Sequence, residues 1–148
     1  MVSKEVEKLL LKVQKPGRYV GGELNEVIKD KKKIDCRFAF CFPDTYEVGM
    51  SHLGMKILYS LMNAVPHIWC ERVFAPWVDM EEEMIKHNIP LYALESGDPV
   101  SDFDFIGFTL QYELSFTNML NMLRLSGVPI KSCERKPSDL AYVKALGY

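Results

Sequence analysis

His52 stands between Gly49 and Gly54 where an apolar run gives way to a helical pattern, with the polar side chains of Asp44, Tyr46 and Glu47 just ahead of it. A histidine in the first turn of a helix can ligate a metal or contact a phosphate, because the helix N-terminus favours its neutral form. The competing reading is an imidazole that packs at a strand–helix junction. Gly49-Met-Ser-His-Leu-Gly54 has the four-residue gap of a phosphate loop, but Met55-Lys56 follows where such a loop needs lysine and then serine or threonine. One residue of displacement turns that lysine by about 100° around a helix, which argues against a nucleoside triphosphatase. The backbone from Val48 to Gly54, with Ser51 and Leu53, remains a place where an anion or the edge of a cofactor can approach closely. Asp44, Tyr46 and Glu47 resemble the start of a magnesium pocket, but such a pocket also wants a carboxylate at the end of the third strand, where Gln111 stands. Gln111, Tyr112 and Glu113 are expected to line the same crevice. The candidate binding set is Asp44, Tyr46, Val48, Gly49, Ser51, His52, Leu53, Gly54, Gln111, Tyr112 and Glu113; no residue is assigned a catalytic or metal-binding role.

The elements that must position these residues follow from periodicity. Val6, Leu9, Leu10 and Val13 share one helical face, and Pro16-Gly17 ends that helix. Arg37 to Phe42 is nearly all apolar, as expected of a strand covered on both faces. Ser51 is the expected N-cap of a helix to about Ala64, with Met55, Leu58, Met62 and Val65 at spacings of three and four. Ile68 to Ala75 reads as the second strand, and Asp79 with Glu82 as a capping box for a helix from Met80 to Asn88. Pro90 to Leu94 is a short extended piece. Phe103 to Leu110 is a third strand, and Leu114 to Ser126 a helix with Gly127 as its stop. Leu140 to Leu146 reads as one further helix. The fold class is α/β, a partial doubly wound parallel sheet of the Rossmann or flavodoxin type that looks cut short after its third strand. That reading divides the chain into an N-terminal helix and arm (1–34), an incomplete α/β domain (35–130) and a divergent tail (131–148). It also predicts an uncovered strand edge, self-association, poor order after about Arg135, and a helix start at Gly54 where a β-branched residue would crowd the first strand.

Composition narrows the function classes. The chain has 148 residues, 48% of them hydrophobic, enough for one core, and its net charge of −2 gives no basic field for nucleic acid or an anionic membrane. No apolar run approaches the roughly 20 residues of a membrane span, and the first residues lack the uninterrupted apolar core of a signal peptide, so a cytoplasmic location is expected. Lys29-Asp-Lys-Lys-Lys33 has no interleaved aromatic and reads as a solvated lead-in to the first strand. Cys36, Cys41, Cys70 and Cys133 are too scattered for a zinc knuckle or an iron–sulfur motif.

Several blocks, in order, carry a family resemblance: Lys12 to Asn25, Phe38 to Gly54, Cys70-Glu-Arg-Val-Phe-Ala-Pro-Trp77, Leu94-Glu-Ser96 and Phe108 to Ser115. Together they resemble the N-terminal region of a family of bacterial and archaeal radical SAM proteins, in which a cobalamin-binding-like Rossmann domain precedes the radical SAM barrel. The resemblance implies a full-length enzyme that uses a [4Fe–4S] cluster and S-adenosylmethionine, neither bound by this region, with the barrel as its partner in the same or an adjacent polypeptide. The family's cluster-binding three-cysteine motif is absent here, as is its Gly-Gly-Pro turn after Arg135. The base-off cobalamin motif Asp-x-His-x-x-Gly is unmatched, since Met50 and Met55 flank His52 at the required positions. A corrinoid would bind without a histidine ligand, through Val48 to Leu53 and Gln111 to Leu114. The alternative implied by the same residues is an α/β interaction or scaffold domain that holds no cofactor.

Overall fold

The computed structural model describes residues 3–135 and 142–146. Four parallel strands, β1 (Cys36–Phe42), β2 (Ile68–Phe74), β3 (Phe105–Thr109) and β4 (Tyr142–Leu146), form one sheet in the order β2-β1-β3-β4. That is the flavodoxin-like order as far as its fourth strand, and it reverses direction between β1 and β3. The expected helix over Leu140 to Leu146 is instead a strand at Tyr142–Leu146, with Leu140 and Ala141 outside the described residues. Tyr-Val-Lys-Ala-Leu is compatible with either element by pattern, and the open edge of β3 decides: Phe105 to Thr109 pair with Tyr142 to Leu146 in register. The edge expected to be bare is therefore paired.

The helices are α1 (Lys4–Leu10), α2 (Tyr46–Ser51), α3 (Leu53–Ala64), α4 (Val78–His87) and α5 (Ser115–Leu125). Alternation along β1 sends Ala39 and Cys41 to one face and Phe40 and Phe42 to the other, so each face builds its own core. The first core takes Val6 and Leu9 from α1, Met80 and Met84 from α4, and Met122 and Leu123 from α5. The second packs Met55 and Tyr59 of α3 against Phe40, Phe42, Cys70 and Phe74. Helices on both faces make the sheet doubly wound.

Local capping differs from expectation at two helix starts. The single helix expected from Ser51 is two helices joined at His52, whose Nδ1 accepts the Met55 N–H at 3.1 Å; the Ser51 hydroxyl bonds back to the Val48 carbonyl instead. Trp77, with no side-chain cap, precedes α4, and Asp79 accepts the Met80 and Gln14 N–H groups, so the proposed capping box gives way to a tie to the N-terminal segment.

Gly49, not Gly54, is the sterically required glycine. A Cβ at Gly49 would fall inside the van der Waals envelope of the Phe74 ring and 3.2 Å from Phe42 Cδ1, whereas one at Gly54 meets only the His52 ring. Gly49→Ala is expected to destabilise the fold by about 1–3 kcal/mol through overpacking. Urea denaturation checks this; a Gly54→Ala variant should lose less.

Candidate functional site

Ligands of open α/β sheets collect beyond the carboxyl ends of the strands, at the switch between β1 and β3. There the Asp44 carboxylate accepts the Thr45 N–H at 2.7 Å and the Tyr112 hydroxyl at 2.8 Å, so it joins the exits of β1 and β3. The hydrogen bond to Asp44, followed by partial burial, raises the Tyr112 phenol. Asn118 of α5 donates to the Pro43 carbonyl at 2.9 Å, and Ala75 N donates to the Asp44 carbonyl at 3.0 Å. Gln111 turns back to donate to the Thr109 hydroxyl. Val48, Leu53 and Leu114 are exposed around this end of the sheet, together with Tyr112, Glu113 and Phe116.

The predicted set is thus divided. Asp44 and Tyr112 meet, Val48, Leu53 and Glu113 are exposed, and the Tyr46 hydroxyl turns away to donate to Glu23 of the N-terminal arm. Burial, and then that carboxylate, push the Tyr46 phenol up to about 12. Gly49 is buried against aromatic rings. Ser51 and His52 are used as backbone caps, and the His52 ring lies 5.3 Å from Phe42, which is the packing role set against metal ligation above. Glu47 is held by Arg18 at 2.8 Å and Lys15 at 3.3 Å; the Arg18 hydrogen bond leads the causes that lower its carboxyl to about 2.

Residues that sequence reading left as ordinary strand carry the strongest electrostatics. Glu71 and Arg72 are consecutive on β2, and both are buried. Alternation sends them to opposite faces, so each needs its own partner there. Arg37 of β1 reaches Glu71 Oε1 at 2.6 Å, while its guanidinium covers the Phe103 ring at 4.2 Å. On the other face Glu95 accepts from Arg72 Nε at 2.6 Å and from the Arg72 backbone N–H at 2.7 Å. Burial raises the Glu71 and Glu95 carboxyls, and their arginines oppose that rise. The only advance signal was that these residues fall within the blocks Cys70 to Trp77 and Leu94 to Ser96; spacing cannot reveal partners 23 or 34 residues away.

Arg72 also lines a cavity of about 660 Å³ between α3 and the 23–27 segment. The Val27 N–H donates to the Tyr59 hydroxyl at 2.9 Å, and its carbonyl accepts from Trp69 Nε1 at 2.8 Å, so the outer wall is tied to both helix and strand. Lys29 fastens the next turn by donating to the carbonyls of Asn63, Val65 and Ile68 at 2.8, 2.8 and 2.5 Å, where α3 ends. Those acceptors include the carbonyls that a helix C-terminus leaves unpaired.

The fold and its switch point define an open α/β domain with helices on both faces. The family model described as radical SAM proteins, N-terminal, matches residues 54–144, and the chain belongs to that family. No curated protein and no solved structure matches it. Among the described residues no group of three His, Cys, Asp or Glu side chains could hold a metal ion, and the donor set does not fit an iron–sulfur cluster: Cys41 and Cys70 are buried in separate strands and Cys133 is exposed. The His52 ring is also poorly set to ligate a corrinoid: Nδ1 accepts the Met55 N–H, so the proton of the neutral ring sits on Nε2, the nitrogen a ligand bond would need. No described helix is long and apolar enough to cross a membrane.

Glu95→Ala would leave the Arg72 guanidinium buried without its counter-charge, and is expected to cost about 3–5 kcal/mol in denaturant titration. Replacing both residues, Arg72→Met with Glu95→Leu, should recover much of that loss, though the Arg72 N–H would still lack its acceptor. For the arm, the sign follows from a depressed carboxyl: the Arg18–Glu47 contribution is present above the ordinary carboxylate value of 4.5 and is lost as pH falls through about 2. The Arg18 Nε–H resonance should therefore titrate across that window, and Glu47→Gln should abolish the titration.

Proposed function

We propose that this chain is an accessory domain of a radical SAM enzyme, not catalytic by itself, which presents the carboxyl end of its sheet to a cofactor and to the radical SAM barrel. The observation that carries the reading is the β1/β3 switch point, joined by Asp44 and Tyr112, with Val48, Leu53 and Leu114 exposed on the segments that leave β1 and β3, in a chain of this family. Apolar side chains grouped at a functional end of a fold favour a partner or a flat ligand over water. A corrinoid received here would rest on those side chains and on backbone, without a histidine on cobalt. The commitment of His52 to a helix cap favours a second reading, a scaffold domain that docks the barrel and holds no cofactor.

Two measurements separate these. Gel filtration after mixing with hydroxocobalamin should carry corrin absorbance with the protein under the first reading; a corrinoid that elutes entirely with small molecules leaves the scaffold reading. Under either, the chain should co-purify with the radical SAM barrel polypeptide, and Val48→Asp with Leu114→Asp should reduce that recovery severalfold without changing the thermal transition. Equal recovery of wild type and variant would remove this end of the sheet as the docking face.

A further inference from the structure

A cavity lies under the arm, bounded by the 23–27 segment, by Gly49 and Met50 of α2 and by α3. Its floor holds an arginine with unfinished hydrogen bonding. Arg72 is 5% exposed; Nε pairs with Glu95, and among the described residues Nη1 has only the Met50 thioether at 3.3 Å and Nη2 has no acceptor. Its Cζ lies 4.5 Å over the Tyr59 ring, which supports the charge, while the Tyr59 hydroxyl is engaged with the Val27 N–H. Leaving a buried guanidinium donor without an acceptor is unfavourable, and a thioether is a weak substitute. The missing partner is an oxygen acceptor, and Met50 is flexible enough to yield its place to one.

The remaining lining restricts the ligand further. Glu23 and Glu26 belong to the wall formed by the arm, while Lys56, exposed and without a partner among the described residues, belongs to the α3 side. Because Glu95 already balances Arg72, the other charges are one cation and two carboxylates, a poor setting for a phosphate dianion. Both signs in one cavity suit a molecule that carries both. Met50 and Met55 supply an adaptable apolar wall, and about 660 Å³ lies within the range of pockets for small organic molecules and is too small to enclose a corrinoid.

We propose that the cavity between the 23–27 segment and α3 binds a small zwitterion of the amino-acid type: its carboxylate on Arg72 and Lys56, its ammonium toward Glu23 and Glu26, and an apolar side chain against Met50 and Met55. Its lining includes Gly49 and Met50, next to Val48, so the site borders the proposed docking face without using Val48, Leu53 or Leu114. Binding would fasten the arm to β2 through the ligand as well as through Val27, so occupancy and arm order are coupled.

The test is a titration of the ¹⁵N-labelled chain with L-methionine, L-leucine and L-phenylalanine, with hexanoate and hexylamine as single-charge controls. At least one amino acid should produce saturable shifts at Val27, Met50 and Ser60, with neither control reproducing them. Lys56→Ala and Glu26→Gln, both at residues outside the buried pairs, should each weaken binding about tenfold, as loss of one charge-assisted hydrogen bond does. Absence of saturable shifts at 10 mM (about the weak end of small-ligand affinity), equal binding of hexanoate, indifference to both charge variants, or shifts confined to Asp44 and Tyr112 would each overturn the assignment. None of these outcomes bears on co-purification with the barrel.

Discussion

Two opposite charges on neighbouring positions of β2 set the terms for much of this fold. A strand cannot turn Glu71 and Arg72 toward the same partner, because successive side chains leave opposite faces. The chain answers with two separate ion pairs, Arg37–Glu71 on one face and Arg72–Glu95 on the other. Between them the segment from Leu94 to Asp98 straddles the free edge of β2: Leu94 N donates to the Arg72 carbonyl, Ser96 N donates to Glu71 Oε2, and Asp98 meets Arg37 at 2.9 Å. An exposed strand edge invites pairing with other chains, and here a charged segment covers it. Buried ion pairs contribute little net stability after desolvation, so their effect is better described as registration: any other placement of the 94–98 segment leaves the Arg72 guanidinium buried without Glu95 and strips Ser96 and Asp98 from the Arg37–Glu71 pair.

The same clamp shapes the opposite wall. With Glu95 holding Nε, the rest of the Arg72 guanidinium is directed among Tyr59 and Met50, beneath the arm. Above it the arm is fixed at two points: Gly21, at φ +69°, passes so close to the Leu94 carbonyl that a Cβ there would overlap it, and Val27 is tied on both of its backbone groups. A cavity persists where an unrestrained loop would have filled the space. The edge clamp and the cavity are two results of one set of buried charges.

At the other end, helix capping absorbs the residues that most resembled a cofactor motif. His52, Ser51 and Gly49 serve the break between α2 and α3, which lets six residues of helix leave β1 before α3 turns to cover the sheet. What remains for recognition at this end is the Asp44–Tyr112 bridge and its exposed apolar surround.

Hydrophobic period determined a great deal from the sequence alone. β1, β2 and β3, the helices α1, α3, α4 and α5, and the doubly wound class are local statements about which faces are apolar, and the run from Arg37 to Phe42 or the spacing of Met55, Leu58 and Met62 carries them without outside help. Tertiary structure decided whatever depends on a distant partner. Tyr142–Leu146 became a strand because β3 had an open edge; His52 became a cap because the chain needed to turn; and Asp79 held the N-terminal segment rather than its own helix. Glu71, Arg72 and Glu95 looked like charges in and after an ordinary strand. Only the fold shows that they are buried, since a charge leaves water when its counter-ion arrives from elsewhere in the chain, and no spacing rule reports which one will come.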